Sequence, residues 1–515
     1  MHKSRFLLLV ALVGIFASPA HSWSDDDDDG DNVFDTLIVG TGAAGRFAAV
    51  MYSDMGMKTV SVDIQNKTGG HCDTYPVPGH PGYVINYGVD DYVDTGKLNR
   101  LGIGPFVVDS YKFVTRFVPA DNVTHTDNSV PGNNFAADFA HHIGPINTTA
   151  SNASQQATAA AFARLFQIVS VYPWLVLGPQ FFPNPLPANF SGNFADFAVK
   201  NNLTAILPSI GDVLLEISGY GSLQNLTVFD GLRAMNKANL LLFQALKLNM
   251  DLAYGCKQLY DAITANLTSD RLLLSHRVVS VGSRKENDRL SWDGSMRPIE
   301  VHVQKIGSRK LKRLWVHKIV MAIPPVLEDI GFLGPDSREK AVLADMRKRA
   351  YFGCSLTDDG TGLLDNTTSF NLINVYLNFS AGFPPPVVYP PQPYVSALRR
   401  VLPFGPMACY AAADDSNITT SQMDGVVVSQ VDSIPSTMIS NPNLEFLIRH
   451  DYAPYYTAEA LARPQSPYAD FDALEDYLDT VWIGAARGGA NTPFIWDDTY
   501  RVLQRVYNNS LPSML

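Results

Sequence analysis

The stretch Val33–Tyr75 constrains the chain most. Val33–Val39 is a short, mostly apolar run suited to a buried parallel strand. Gly40, Gly42 and Gly45 follow as G-x-G-x-x-G, and Ala43–Met57 carries small and apolar residues at helical spacing. Thr59–Val62 predicts a second strand, with Asp63 at its end. In such a unit Gly40 permits the tight turn, Gly42 lets the backbone approach a pyrophosphate, and Gly45 lets the helix pack closely on the strand. The helix N-terminus, at Ala43 and Ala44, offers free N–H groups and a partial positive charge to phosphates. Asp63 stands where a carboxylate accepts hydrogen bonds from ribose hydroxyls, which argues against a 2′-phosphate and hence against NADP. A glycine triplet alone is as compatible with a structural turn. Here both strands, the helix and the acid accompany it, and dinucleotide binding is the stronger reading.

After Asp63 and Ile64 the chain reads Gln65-Asn66-Lys67-Thr68-Gly69-Gly70-His71-Cys72-Asp73-Thr74-Tyr75. An acid followed by a GG-R/H-x-x-T loop resembles the flavin amine oxidase superfamily. The GGH-x-DTY form resembles its fungal secreted, β-cyclopiazonate dehydrogenase-like branch. The resemblance implies that FAD is the dinucleotide, with the Gly69–Cys72 loop wrapping its pyrophosphate and reaching toward the flavin. It implies a fold of class α/β: a discontinuous Rossmann-type FAD-binding domain with an α+β substrate domain. Gly82–Asp91 is similar to the family's strand and turn beside the flavin, with Gly88 at the turn; an ordinary tight turn is the alternative.

Residues 1–22 predict a secretory signal peptide: Lys3 and Arg5, the apolar run Phe6–Phe16, then small residues at Ser18, Ala20 and Ser22. That run is too short to span a bilayer, and no other stretch is long enough. Asp25–Asp29 reads as a solvated acidic arm. The formal charge is −11, and loss of Lys3 and Arg5 makes it −13, which argues against nucleic acid or an anionic membrane as main partner. N-x-S/T sequons stand at Asn66, Asn122, Asn147, Asn152, Asn189, Asn202, Asn225, Asn266, Asn366, Asn378, Asn417 and Asn508. Behind a signal peptide these predict N-linked glycans and a secreted, ER-lumenal or vacuolar protein; Asn66, in the cofactor loop, is expected to be unmodified. Cys72, Cys256, Cys354 and Cys409 lack metal-ligand spacing, and sequence alone does not pair them, although Cys354–Cys409 is one possible bridge.

The element pattern divides the chain into 33–100, 250–326 and 471–515 for the FAD-binding domain, and 101–249 and 327–470 for the substrate domain. Gln155–Tyr172, Phe194–Ile206, Ile210–Ile217 and Thr227–Asn249 have helical spacing. Pro173–Phe190, with Trp174, Phe181, Phe182 and Phe190, reads as a packed loop or as a pocket lining or lid. Tyr351, Phe352, Tyr376, Tyr389, Tyr394 and Tyr410 are candidate pocket aromatics, each also a reasonable core residue. A helix from Tyr254 to Leu267, short strands near Leu272–Leu274 and Arg277–Val281, a strand at Pro298–Ile306 and a closing strand Leu314–Ile323 repeat the superfamily's order. By that resemblance Val278 contacts adenine through its main chain. Val481–Gly484 resembles the strand that crosses the flavin. The helix begun by Asn491-Thr492-Pro493, with Phe494 in its first turn, resembles the one aimed at the flavin N1/C2=O edge. Ala485 stands where the family usually has an acid, so ribityl contacts must differ.

His71 stands where amine oxidases usually have arginine. It suits either a phosphate contact or covalent attachment of the flavin, with Cys72 the alternative attachment residue. His141, His142 and His450 have no partner motif, so no general base is named, and no Ser-His-Asp or metal-ligand pattern emerges. Three readings follow. The first is an FAD-dependent oxidoreductase of a small apolar, amine- or indole-containing metabolite, with oxidative cyclisation as one outcome and oxygen or another compound as electron acceptor. The second is a redox-neutral flavin isomerase of an unsaturated lipid or terpenoid. The third is a flavin-binding protein without turnover.

Overall fold

The computed structural model describes residues 32–88, 106–107, 114–118, 123–127, 148–207, 219–223, 225–244, 250–251, 255–359, 370–374, 376–377, 387–388, 393–400, 405–432, 439–489 and 491–508. The signal peptide, the acidic arm, His141, His142, the Ile210–Ile217 helix and the sequons at Asn122, Asn147, Asn366 and Asn378 lie outside them.

In chain order the elements that build the site are β1 (Val33–Val39), α1 (Ala43–Asp54), β2 (Thr59–Val62), β3 (Thr74–Pro76), β4 (Val84–Asn86), β5 (Val114–Val118), β6 (Val123–Asp127), α2 (Val228–Ala234), α3 (Cys256–Asn266), β7 (Asp270–Leu273), β8 (His276–Val281), β9 (Ile299–Lys305), β10 (Leu311–Met321), β11 (Met346–Thr357), β12 (Phe370–Asn374), β13 (Tyr394–Arg400), β14 (Met407–Ala413), β15 (Asn443–Tyr456), β16 (Thr480–Trp482) and α4 (Thr492–Val506). The first sheet runs β8-β9-β10-β1-β2-β7, with β16 also on β10. The pairs β10–β1, β1–β2, β2–β7 and β10–β16 are parallel; β8 and β9 add an antiparallel extension. Parallel strands need both faces covered, and β2 is buried at every residue. Helix α1 packs on α4 through the stacked rings of Phe47 and Trp496, 5.5 Å apart, and Trp496 Nε1 donates to the Ala43 carbonyl (3.1 Å). The N-termini of α1 and α4 therefore lie side by side above the strand ends.

The second sheet runs β15-β11-β14-β13-β12-β5-β6. Its period-2 alternation sorts two faces. Phe352, Cys354, Cys409 and Ala411 pack toward helix Thr420–Asp432 with Met423 and Val427. Tyr351, Ala408, Tyr410 and Ala412 face the opposite way, toward Val77, Ile85 and Tyr87 of the β3–β4 hairpin region. Cys354 and Cys409 are direct partners in the β11–β14 register and form a disulfide.

One expectation changes. The helix expected over Thr227–Asn249 is two helices, Val228–Ala234 and Lys237–Gln244, because the Asn236 side chain accepts from Asn239 N (2.9 Å) and starts a new helix. Strands β5 and β6, from the segment before these helices, extend the second sheet by parallel pairing of β5 with β12.

Candidate functional site

The glycine turn has the geometry its spacing requires. Gly40 has φ +96°, and a Cβ there would meet the Ala322 carbonyl oxygen at 2.9 Å. A Cβ on Gly45 would sit 1.9 Å from the Gly40 carbonyl oxygen, so α1 docks on β1 only with hydrogen at that position. Helix α1 has no side-chain cap and no acidic residue in its first turn, which leaves its N–H groups to a ligand. The GGH loop lies directly on this turn: Gly69 N donates to Thr41 O (2.9 Å), and a Cβ on Gly70 would be 3.0 Å from the Gly42 Cα. Asp63 Oδ2 accepts from Thr41 N and Thr41 Oγ1, both at 2.7 Å, and Oδ1 accepts from Gln65 N at 2.8 Å. Oδ2 is filled by its two bonds, and Oδ1 keeps acceptor capacity for a ligand. Ile64 is exposed beside it. His276 N donates to Asp63 O (2.8 Å), which brings the start of β8, and with it buried Val278, alongside the acid.

At the far end Gly484 adopts φ +108° and leads from β16 into the short helix Ala485–Gly488; a Cβ on it would be 3.8 Å from that of Ala44. Half-buried Ala485 opens that short helix, and Phe494 lies in the first turn of α4. The N-cap of α4 is Asn491, with Pro493 in the first turn. Tyr260 of α3 bonds to Thr492 and covers Gly69, whose Cβ would meet the tyrosine ring at 2.9 Å. The glycine turn, acid, GG loop, β16 end and α4 N-terminus thus form one continuous cradle. Its missing side chains, uncapped helix and residual carboxylate acceptor fit a dinucleotide pyrophosphate and ribose.

The His71 side chain packs against β15. Its ring lies 4.8 Å from those of His450 and Tyr452 and donates to the backbone carbonyl of Asp451. The Asp451 side chain is held by Lys348 (2.7 Å) and Arg449 (2.9 Å), which fixes that acceptor. Burial, then the neighbouring His450 and Lys67, push His71 well below the ordinary imidazole range. It is neutral, with one nitrogen committed to Asp451 and the other carrying a lone pair. Burial brings His450 down to about 4, and Lys67 adds to the shift. Its Nε2 lies 3.1 Å from Asp73 Oδ2, and Asp73 also pairs with Lys67, which burial lowers to about 8. Sequence gave His450 no partner; the fold provides Asp73 and His71 from almost 380 residues away in the chain.

Cys72 is not available for flavin attachment: it is buried and bonded to Cys256 at the start of α3, with Cα atoms 5.6 Å apart. The disulfide fastens the GGH loop to α3. Close by, a Cβ on Gly88 would sit 2.0 Å from the His71 carbonyl oxygen, so the β4 turn presses against the loop. Of the candidate pocket aromatics, Tyr351 and Tyr410 lie on the hairpin-facing side, with Tyr351 5.5 Å from Tyr452. Phe352 packs toward the opposite helix, Tyr394 is fully buried, and the side chains of Tyr376 and Tyr389 lie outside the described residues. The Pro173–Phe190 stretch packs: Trp174 lies 5.6 Å from Phe182 and 5.2 Å from Phe190. Among the described residues no cluster of His, Cys, Asp and Glu is suited to a metal, and no helix is long and apolar enough to cross a membrane.

Comparison with known proteins agrees with this geometry. Residues 38–101 match the NAD(P)-binding Rossmann-like domain family. An FAD-dependent oxidoreductase of Colletotrichum higginsianum is 26% identical over 90% of this chain and 91% of its own length. The β-cyclopiazonate dehydrogenase of Aspergillus oryzae is 25% identical over 66% of this chain and 65% of its own. A CLA-producing fatty acid isomerase from P. acnes superposes with TM-score 0.67 at 14% identity, covering 92% of this chain and 99% of that one. A putrescine oxidase superposes with TM-score 0.60 at 12% identity, covering 93% and 99%. The chain is a relative of fungal FAD-dependent oxidoreductases, built on the Rossmann-type, amine-oxidase-like fold.

Proposed function

We propose that this chain, an FAD-dependent oxidoreductase, oxidises a small, largely apolar metabolite held between the cradle and the second sheet, and that His71 carries the flavin covalently. The neutral, tautomer-fixed His71 on the GGH loop is the observation that carries the reading. Gly40, Gly42, Gly45, Ala43 and Ala44 would hold the pyrophosphate, Asp63 the ribose, and the α4 N-terminus the negative edge of the ring. Bound there, FAD supplies a two-electron acceptor. Asp451 orients His71 so that its lone-pair nitrogen is free for the bond. The bond would join that nitrogen to the flavin 8α carbon; one proton would leave the methyl group, the other the ring N–H that faces Asp451, and dioxygen would take up the two protons and two electrons as hydrogen peroxide. The aromatic face of Tyr351, Tyr410 and Tyr452 supports an apolar substrate, amine- or indole-bearing compounds included.

Both disulfides, and the exposure of Asn189, Asn202, Asn225, Asn266, Asn417 and Asn508, support a glycosylated protein of the secretory pathway. Endoglycosidase treatment that leaves the mass of the secreted protein unchanged would remove that part.

The test is the visible absorption of the purified protein before and after acid precipitation. Flavin that stays in the pellet of wild type and moves to the supernatant for His71→Ala supports the attachment. Flavin released from wild type overturns it. Oxygen consumption, or bleaching of an added dye, with candidate metabolites supports oxidation. Substrate turnover with neither would make the chain a redox-neutral isomerase, and a colourless protein that takes up no FAD would overturn the whole reading.

A further inference from the structure

Arg233, on α2, is a buried cation whose charge the protein leaves partly unanswered. It is 7% exposed. Three aromatic rings surround its guanidinium, Phe182 at 5.4 Å, Phe229 at 5.7 Å and Tyr468 at 5.8 Å, and the Tyr468 hydroxyl bonds to it. Its Nη2 has no hydrogen-bond partner among the described residues. Asp230, one turn earlier, acts on it only through space; that carboxylate takes the Thr227 hydroxyl (3.0 Å) and stands 3.7 Å from Arg349. An isolated charge in such a site is expensive unless something else pairs with it.

The place where Arg233 ends is informative. Gly489 follows the short helix after Gly484 and stands just before the N-cap of α4. A Cβ on Gly489 would be 3.7 Å from Arg233 Nε and 3.6 Å from the Tyr220 hydroxyl. The Tyr220 hydroxyl acts electrostatically on that of Tyr452, and the Tyr452 ring lies 4.8 Å from His71. A row of polar groups, Arg233, Tyr220 and Tyr452, therefore runs from the turn at α4 to the GGH loop. From this juxtaposition we infer that Arg233 is a specificity-determining residue that binds a carboxylate of the substrate, with the acid group at the α4 turn and the apolar part toward His71 and Tyr452. An arginine fork matches a carboxylate in two hydrogen bonds, and its aromatic surround keeps water from competing. This assignment rests on the oxidoreductase reading of the same site.

The test uses the flavin-loaded, full-length protein and three acid–amide pairs: benzoate and benzamide, indole-3-acetate and indole-3-acetamide, decanoate and decanamide. Perturbation of the flavin spectrum and the rise in thermal midpoint are both read. At least one acid is expected to bind roughly ten- to a hundred-fold more tightly than its amide. Arg233→Met is expected to erase that preference while its flavin spectrum and ligand-free midpoint stay near wild type. Arg233→Lys is expected to retain a smaller preference. No acid bound in preference to its amide, or a preference that survives in Arg233→Met, overturns the inference. A protein without flavin would instead sink the oxidoreductase reading, and the thermal midpoint would still report whether the acids bind at Arg233.

Discussion

Arg487 and Arg233 are both buried arginines beside the turn between β16 and α4, and they differ in what faces them. Arg487 is wholly buried and meets Asp472 (2.8 Å), Glu475 (3.1 Å) and Asp498 (3.2 Å), with Gln180 at 3.2 Å. Its partners come from the segments before β16, from α4 and from the Pro173–Phe190 stretch, so one guanidinium ties three separate parts of the chain beneath the turn. Arg233 meets rings and keeps a nitrogen unpartnered. The first guanidinium stands among three carboxylates that answer its charge, although its Nη1 pairs with Glu475 without a hydrogen bond. Among the described residues the second has no carboxylate paired with it, and only Asp230 acts on it through space. The same residue type thus serves as a clamp on one side of the turn and as a receptor on the other, and the number of carboxylates within reach decides which.

The largest effect is expected at the clamp. Arg487→Met leaves Glu475 and Asp498 buried with no guanidinium, while Asp472 keeps Arg505, and removing one member of such a network costs about 3–5 kcal/mol. A large drop in urea midpoint and loss of bound flavin are expected, because α4 loses its anchor through Asp498. A midpoint within experimental error of wild type would break the distinction between clamp and receptor.

A smaller, pH-dependent effect is expected on the GGH-loop side. Burial lowers His450 from its ordinary 6.5 to about 4. Below 6.5 the unfolded imidazole takes up a proton that the folded one refuses, so stability falls as pH drops from 6.5 toward 4. The slope is about 1.4 kcal/mol per pH unit, and nothing is lost above this window. His71 acts in the same direction. Glu475 acts in the opposite one: burial raises it from 4.5 to about 7, so its contribution is present below 4.5 and is lost as pH rises toward 7. The raw profile sums these terms. The comparison to make is therefore wild type against His450→Gln, as urea midpoints at pH 5 and pH 7; the variant should lose less stability on acidification. Equal losses would mean that His450 does not carry the titration.

The cradle was legible in the sequence because its demands are local. Gly40, Gly42 and Gly45 are required by the backbone conformation and clearance of one turn, and Asp63 follows at the end of the next strand. Of the disulfides, Cys354–Cys409 was one possible bridge in the sequence, while Cys72–Cys256 carried no signal, since pairing depends on Cα atoms brought to 4.8 and 5.6 Å by the fold. The β15 strand was missed because Arg449, His450, Asp451 and Pro454 interrupt its apolar pattern. It tolerates that proline because it is an edge strand. With β15 went His450 and Tyr452, hence the surroundings of His71. Arg233 carried no signal either: one arginine in a short helix reads as a solvated residue until Phe182, Phe229 and Tyr468 are folded around it.

The smallest effect on stability is expected at Arg233. Replacing it by methionine gives up contacts with three rings and the Tyr468 bond, but it also removes a buried cation lacking a full set of partners. These terms oppose each other, and the urea midpoint should move by no more than about 1 kcal/mol in free energy in either direction. The comparison is sharpened by measuring Arg233→Met and Arg487→Met side by side in ligand-free protein. If both fall equally far, Arg233 is a second clamp and its use as a receptor loses its premise. If Arg487→Met alone falls, the guanidinium of Arg233 is held in place by aromatic walls rather than needed by them, as a group kept for binding should be.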